Sequence, residues 1–410
     1  MKCVLLGGLV WCGLLIAGNQ QSEINVNSRY IVESVEVSGR DEAAFSAGLR
    51  QDIQKLIGEN LDSEALDQLG KRIRKELHVR SVTHRVLRGL TPEHVRVVFE
   101  IKGPPAKFEV SVPKFLYYPK QGWSAAVEGT STIAHNSFTL GLVSDNDETS
   151  ERYTGATARY ENNKVGTDRL QFRFDFGSYH EQWNRTTLMA LADSTDVPGI
   201  YRTRQEFQPI ATVVLMKPLT VSFGAAIDRF QTQYPVAEMQ AANAAVAGIR
   251  YSCQTEDSDF RQDFDAAYTV RAATHLLNSD FAYVRHRADV RYVLTAGNHR
   301  VLDEFIAGLI SGRAPLFERF VLGTSSTLRG WNRFDLDPLG GDRMVHNSLE
   351  YRYRVFQVFY DTGAIWDRNR DPVARHSVGV GVRHDGFSLA VAFPVKEGRA
   401  DPIFMVSMNY

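Results

Sequence analysis

The side chains with the clearest chemical potential lie in the last quarter of the chain. Arg329, Gly330 and Trp331 come first, and the acidic residues Glu350 and Asp361 follow in two segments of alternating polarity. An arginine presents a planar set of donors that matches a carboxylate, and a glycine beside it allows the backbone to turn tightly. Asp361 is a candidate carboxylate partner for Arg329, with Glu350 as a secondary candidate. The alternative is that Arg329 is an ordinary exposed loop residue.

Residue patterns that would indicate catalysis are missing from the sequence. It contains neither a Gly-x-Ser-x-Gly nucleophile elbow nor a His-Glu-x-x-His metal-binding helix. The 11 histidines are scattered, and His84, His275 and His346 lie in unrelated contexts. We therefore predict no catalytic residue, no metal site and no cofactor, with a lipase-like enzyme as the alternative. A formal net charge of -1 without a concentrated basic face argues against nucleic-acid binding.

The N-terminus has the order of features that is typical of a secretory signal. Lys2 provides a positive charge, residues 4–16 are almost wholly apolar, and the small residues Ala17 and Gly18 follow. This order predicts a signal peptide over residues 1–18. The apolar stretch is shorter than the roughly 20 residues that a membrane-spanning helix needs, and an N-terminal anchor helix is the alternative.

Residues 106–410 show the alternation of a membrane-spanning barrel. In one segment, Phe172 and Phe174 alternate with Arg173 and Asp175, and similar segments of about ten residues recur. Apolar side chains facing lipid and charged side chains facing water predict a transmembrane β-barrel of about 16 antiparallel strands. A soluble β-sandwich also alternates, but it does not favour so many arginines and aspartates on one face. Our assignment places the first strand near residue 123 and includes a strand near residues 184–192.

The segment that carries Asp361 alternates in the same way. Asp361 shares a face with Gln357 and Gly363, whereas Tyr360 and Trp366 point to the lipid. Asp361 is therefore predicted to face the lumen. Breaking a desolvated pair of arginine and carboxylate typically costs about 3–5 kcal/mol, because one buried charge is left without its partner.

The last predicted strand ends the chain. Phe404, Val406, Met408 and Tyr410 lie on one face of this segment. The terminal strand of a barrel must close against the first strand. A final strand that finishes on an aromatic residue resembles the signal by which bacterial outer-membrane barrels are recognised for insertion, and these four residues are the predicted signal.

Residues 28–103 predict a separate small α+β domain with the element order β-α-α-β-β. Ile31, Val35 and Val37 alternate on the first strand, two apolar stripes at helical spacing follow, and two further strands end the unit. The run Gly103-Pro104-Pro105 ends the pattern and marks a domain boundary. A generic adaptor domain is the alternative to any specific assignment.

Five short motifs occur in one order along the chain. They are Val32–Gly39, Leu328-Arg329-Gly330-Trp331, Gly340-Gly341-Asp342, Glu350-Tyr351-Arg352 and the Phe-x-Asp-x-Gly segment of Phe359, Asp361 and Gly363. In these motifs the chain closely resembles the outer-membrane insertase and translocator superfamily, in which a POTRA domain precedes a bacterial surface antigen barrel. That superfamily includes the Bam insertase, the TamA-type factors and the two-partner secretion transporters. The chain departs from it in having Trp331 where phenylalanine or tyrosine is usual.

The resemblance implies both a location and a function. It implies a bacterial outer-membrane barrel with a POTRA domain in the periplasm. It also implies that the Arg329 loop folds into the lumen and that the strand of Phe359, Asp361 and Gly363 receives the arginine. A sheet edge of that domain would bind unfolded client polypeptides by strand addition. The implied function is insertion or translocation of clients, through the lumen or through a seam between the first and last strands, in contact with outer-membrane lipid and with periplasmic or lipoprotein partners. A passive pore or a structural barrel without a client is the alternative.

Overall fold

The computed structural model describes residues 29–38, 45–77, 79, 81–103, 107–193, 199–257, 259–396 and 401–408. Two compact units divide between Pro105 and Ala106. The predicted signal peptide, Gly39 and the C-terminal Tyr410 lie outside the described residues. No helix in the described ranges is long and apolar enough to cross a membrane.

The first unit is a three-stranded sheet with two helices, and its element order confirms the predicted β-α-α-β-β arrangement. The central strand pairs parallel to the first and antiparallel to the second strand of the chain. The helices bury apolar stripes that include Leu49, Leu66 and Ile73 against Val97 and Phe99 of the sheet. The elements are β1 (Ile31–Ser38), α1 (Ala47–Leu56), α2 (Ser63–Glu76), β2 (Ser81–Arg88) and β3 (His94–Lys102), in the sheet order β1-β3-β2.

The second unit is a closed antiparallel barrel, as predicted. Its wall has 16 strands, because β11 and β12 both pair with β10 as two parts of one interrupted strand. The strands are β4 (Lys107–Tyr118), β5 (Gly122–Ile133), β6 (Asn136–Asp145), β7 (Arg152–Asn162), β8 (Leu170–Gln182), β9 (Ile200–Met216), β10 (Leu219–Tyr234), β11 (Met239–Ala241), β12 (Ala244–Glu256), β13 (Arg261–Ala273), β14 (Ala282–Ala296), β15 (His299–Arg313), β16 (Arg343–Tyr353), β17 (Phe356–Trp366), β18 (Arg375–His384), β19 (Phe387–Pro394) and β20 (Ile403–Met408).

Two strand assignments from the sequence were wrong, and their errors cancel in the count. Residues 184–192 form helix α3 (Arg185–Ala192), which begins where the Asn184 side chain accepts a hydrogen bond from the backbone N–H of Thr186 at 2.8 Å. The true first strand, β4, was missed. A register shift between Ser111 and Lys114 interrupts its pairing with β5. Such an irregularity also breaks the alternation by which a strand is recognised.

The alternation places apolar side chains outside and charged side chains inside. Phe176, Tyr268, Tyr351 and Tyr360 are exposed on the outer surface. Ion pairs such as Arg204 with Glu181 are buried in the interior. Short hairpin turns lie at the end of the barrel where β4 begins, and the long connections lie at the other end.

The barrel closes over a short seam between β4 and β20. Among the described residues, the two strands pair only where Phe115, Leu116 and Tyr117 face Met408, Ser407 and Val406. In contrast, β14 and β15 pair along the whole of both strands, from Ala282 to Ala296. In the part of the chain that the structure describes, the seam therefore has much less strand pairing than the β14–β15 wall.

Candidate functional site

The segment of residues 314–342, here called the lumen loop, connects β15 to β16 and folds into the barrel. Its apolar side chains Leu322, Leu328 and Trp331 are buried in one cluster with side chains of the wall. A short helix, α4 (Arg333–Leu336), begins after Asn332, whose side chain accepts from the backbone N–H of Phe334. The lumen loop is thus a packed element with its own apolar core contacts.

Arg329 lies at the tip of the lumen loop and binds Asp361 of β17 through three hydrogen bonds. The guanidinium Nε and Nη2 donate to the two carboxylate oxygens at 2.9 and 2.8 Å. The backbone N–H of Arg329 donates to the same carboxylate at 2.9 Å. The Asp361 side chain is only 1% exposed. The guanidinium and the carboxylate form a bidentate pair that is removed from water. Both features strengthen a charge-assisted hydrogen bond.

Glu350 and Ser348 of β16 complete the polar surroundings of the guanidinium. Nη1 donates to Glu350 at 2.9 Å, and Nη2 donates to the Ser348 hydroxyl at 2.9 Å. The Ser348 hydroxyl in turn donates to Asp361 at 2.7 Å. Glu350 also binds Arg352, so one carboxylate serves two guanidinium groups. The secondary candidate from the sequence therefore lies in the same network as Asp361.

Phe359 provides the apolar floor under the guanidinium. The Arg329 Cζ lies 3.6 Å from the centre of the Phe359 ring, which is a close cation–π contact. The third residue of the receiving strand, Gly363, packs against the lumen loop. A Cβ at this position would lie 2.9 Å from the Val345 carbonyl and 3.2 Å from Leu322. The structure thus brings Phe359, Asp361 and Gly363 to one inner face of β17.

Gly330 and Trp331 fix the tip of the lumen loop against the strands next to the seam. Gly330 has φ +93°, and a Cβ there would lie 3.1 Å from the Cβ of Ala392 on β19. The Trp331 indole N–H donates to the backbone carbonyl of His376 at 2.8 Å. The Tyr118 hydroxyl, at the end of β4, donates to the Trp331 carbonyl at 2.7 Å. The tip therefore contacts the first strand of the barrel directly.

A second anchor of the lumen loop was missed by sequence reasoning. Glu318, which is 2% exposed, binds Arg271 of β13 and accepts from the Tyr283 hydroxyl at 3.1 Å. Arg285 of β14 donates to the Glu318 backbone carbonyl at 2.9 Å. The charges are opposite to those at Arg329, because here the loop carries the acid and the wall carries the cations. The available signal was an acidic loop residue between strands rich in lumen-facing arginine.

Two further polar contacts position the segment around Arg329. The backbone N–H of Leu328 donates to His346 Nε2 on β16 at 2.9 Å. The backbone N–H of Ser325 donates to Asp147, which follows β6, at 2.8 Å. His346 carried no assigned role in the sequence, because nothing local to it showed a partner. The other histidines singled out from the sequence, His84 and His275, lie outside this site.

The C-terminal residues predicted as a recognition signal lie on β20, except Tyr410, which is outside the described residues. Phe404 points to the outside and is 60% exposed. Val406 and Met408 are half-buried and face β4 across the seam. The described part of the signal therefore lies on the strand that closes the barrel.

Two polar cavities remain inside the barrel beside the lumen loop. One of about 740 Å³ is lined by Arg329, Glu350 and Ser325. The other, of about 850 Å³, is lined by Glu318 and Arg271. The lumen loop therefore fills only part of the lumen, and charged cavities remain beside Arg329 and beside Glu318.

A closed antiparallel wall with an apolar outer surface and a charged interior defines a transmembrane β-barrel. Residues 120–406 match the Omp85 superfamily domain. The chain belongs to the Omp85 superfamily and is located in the bacterial outer membrane.

Several known proteins are similar to this chain. The outer membrane protein assembly factor BamA of Nitratidesulfovibrio vulgaris is 26% identical over 219 residues, which cover 44% of this chain and 28% of that relative. The BamA structure from Haemophilus ducreyi lacking POTRA domains 1–3 has a TM-score of 0.59 at 14% identity and covers 93% of this chain and 85% of that chain. CdiB from Acinetobacter baumannii has a TM-score of 0.53 at 12% identity, with coverages of 93% and 74%. The two structures show the shared fold.

Proposed function

We propose that this protein inserts or translocates client polypeptides at the outer membrane. The observation that carries the proposal is the coupling of an ion-paired lumen loop to a short seam. Arg329 is held by the wall at Asp361, and the tip of the same loop contacts β4 through Tyr118. A structural barrel without a client would need neither the ion-paired lumen loop nor the short seam. The relative in Nitratidesulfovibrio vulgaris is named as an assembly factor, which supports the same proposal.

In this proposal the seam is the place where a client strand is accepted. Unpaired backbone groups on edge strands bind further strands readily. Among the described residues, only Phe115, Leu116 and Tyr117 of β4 face β20, so few of the described hydrogen bonds must break to expose both edges. The lumen loop holds the inner side of the seam through Tyr118 and Ala392 while this occurs. In this proposal the wall therefore keeps its shape when the seam between β4 and β20 opens.

We assign the front domain as a POTRA domain in the periplasm that collects unfolded clients. The sheet order β1-β3-β2 leaves β2 at one edge of the sheet. Val86 and Leu87 on β2 are each 42% exposed, so the edge offers apolar contact beside its backbone groups. Strand addition at such an edge makes little demand on client sequence. The proposed action is non-enzymatic.

The test is to change Arg329→Ala and to follow client assembly in cells and in reconstituted vesicles. The matched control is Arg250→Ala, because Arg250 pairs with Asp265 at 2.8 Å on a distant part of the wall. We expect client assembly to fall with Arg329→Ala and to persist with the control. The swap of Arg329→Asp with Asp361→Arg restores part of the loss. A folded Arg329→Ala barrel with unchanged client assembly would contradict the proposal.

A passive pore is the second candidate, and the two charged cavities of the lumen favour it. Planar-bilayer recording distinguishes the two functions. A barrel whose lumen is occupied by a fixed loop conducts weakly, and its conductance rises when the anchors are removed. Large steady openings in the unchanged protein, together with normal client assembly in its absence, would favour the pore.

A further inference from the structure

The short-turn end of the barrel contains a basic cavity that the proposed function does not use. It has a volume of about 430 Å³ and lies among the hairpin turns that join β14 to β15, β16 to β17 and β18 to β19. Its charged lining is Arg300, Arg352, Arg354, Arg383 and Asp385. We call this set of residues the arginine cavity.

Register brings two of these cations face to face. Arg300 on β15 lies directly opposite Arg352 on β16, and both also line the lumen cavity of about 740 Å³ beside Arg329. Like charges at directly opposed positions of a sheet destabilise the pair of strands. On its other side, Arg300 faces Thr295 of β14, which offers no compensating charge. The wall therefore concentrates positive charge here at a cost in stability.

The described ion pairs of the acidic residues nearby do not include Arg300 or Arg354. Glu350 is shared between Arg329 and Arg352. Asp385 is 89% exposed at its side chain and contacts His384 at 3.3 Å. Among the described residues, Arg300 and Arg354 therefore have no carboxylate partner in an ion pair.

Arg300 also has an unused donor. Its Nε is buried and has no hydrogen-bond partner among the described residues, and Arg300 forms no ion pair with them. A buried donor without an acceptor is costly. An oxyanion in the cavity would supply that acceptor. It would also reduce the repulsion between Arg300 and Arg352.

We propose that the arginine cavity binds a phosphate group. Arginine forms bidentate hydrogen bonds with phosphate, and several arginines together neutralise its double charge. The cavity opens at the end of the barrel where wall and solvent meet, so the group can come from inorganic phosphate or from the headgroup of an anionic lipid. Both sources present the same oxygens to the guanidinium groups. The site binds this group independently of whether the barrel handles clients.

The experiment uses the full chain in a detergent without phosphate and measures binding by titration calorimetry. One arm titrates inorganic phosphate against sodium chloride at equal ionic strength. The second arm titrates dihexanoyl phosphatidylglycerol as a soluble form of the lipid headgroup. We expect saturable binding in at least one arm, weakened at least tenfold by Arg300→Gln. The conservative Arg300→Lys retains the charge but loses the fork, and it recovers only part of the affinity.

Arg250→Gln is the matched control, since Arg250 has its own carboxylate partner in Asp265. Arg354→Gln is a second test variant in case Arg300→Gln fails to fold. Tighter binding of the short-chain lipid than of inorganic phosphate identifies a headgroup site, and the reverse identifies a free phosphate site. Absence of saturable binding in both arms, or equal binding by the wild type, Arg300→Gln and Arg354→Gln, overturns the proposal.

Discussion

Strands β16 and β17 pair along their full length, from Arg343 with Trp366 to Tyr353 with Phe356. In contrast, the described residues of β4 and β20 share only a short paired stretch. The first region also binds the Arg329 guanidinium through Asp361 and Glu350. The second region has its backbone pairing and an apolar layer beneath it. One part of the barrel is therefore built to hold a loop and the other to close with few bonds.

This difference shows how one barrel can combine a stable wall with an opening. The apolar layer under the seam joins Tyr118, Phe359, Ala392 and Ile403 in one cluster. Phe359 also lies under the Arg329 guanidinium. Phe359 therefore belongs both to the Arg329 anchor and to the apolar packing behind the seam. Removing the Arg329–Asp361 pair should therefore destabilise the seam more than distant strands.

The largest effect is expected from Asp361→Ala. The change leaves the Arg329 charge buried with fewer partners, and we expect the free energy of unfolding to fall by about 3–5 kcal/mol. Urea unfolding in detergent micelles, followed by tryptophan fluorescence, measures it. The control is Glu304→Ala, which breaks a half-exposed pair with Arg291 and should cost about 0–1 kcal/mol. Equal losses of unfolding free energy in both variants would mean that the Arg329–Asp361 pair contributes no more than an exposed ion pair.

The second anchor tests whether the loop is held at one point or at two. Glu318→Gln keeps the volume but removes the charge that faces Arg271 and Arg285, and we expect a loss of about 1.5–3 kcal/mol. Asp265→Asn, in a more exposed pair, is the comparison. Protease cleavage within the lumen loop should increase only with Glu318→Gln. Unchanged cleavage would show that the Glu318 charge is not needed to hold the loop.

Gly330→Ala tests the close approach of the loop tip to β19. The residue has φ +93°, so a side chain adds backbone strain of about 1–2 kcal/mol and also crowds Ala392. Gly297→Ala is the matched control, because Gly297 also has a positive φ but open space around its Cβ position. The loss of unfolding free energy should be larger at Gly330, which has both the crowding and a φ farther from the left-handed region that alanine tolerates. A smaller loss at Gly330 than at Gly297 would argue against close packing of the tip.

Tyr118→Phe should have the smallest effect on stability and the most local one. It removes one hydrogen bond to Trp331, which contributes about 0.5–1.5 kcal/mol. We expect faster amide hydrogen exchange at residues 115–117 and little change along β14. Tyr160→Phe removes a hydrogen bond to Asn136 elsewhere on the wall and should leave the seam unchanged. Equal amide exchange at residues 115–117 in both variants would show that the lumen loop does not stabilise the seam.

Much of the fold could be predicted because its signals are periodic. Alternation reveals most wall strands, and the run at Gly103-Pro104-Pro105 separates the front domain. The contact between Arg329 and Asp361 could be proposed because the Arg-Gly-Trp and Phe-x-Asp-x-Gly motifs resemble those of the outer-membrane insertase and translocator superfamily, and the alternation places Asp361 on the lumen face. The same reasoning failed at α3, where a short apolar segment fits a strand as well as a helix.

Contacts without a local signal could not be predicted. The partners of Glu318 lie 47 and 33 residues earlier on two separate strands. No periodicity within the lumen loop indicates which of those strands it meets. The bond from Tyr118 to Trp331 spans 213 residues and involves a strand that the alternation did not reveal. Such contacts depend on how the barrel closes.

The most direct test of the account is a reversible covalent lock across the seam. Leu116→Cys with Ser407→Cys, in a Cys253→Ser background, places two thiols on register partners of β4 and β20. Ala288→Cys with Ala307→Cys provides the same lock between β14 and β15. We predict that oxidation of the seam pair stops client assembly and that reduction restores it, while the control lock has no effect. Normal assembly with a fully oxidised seam would contradict the account.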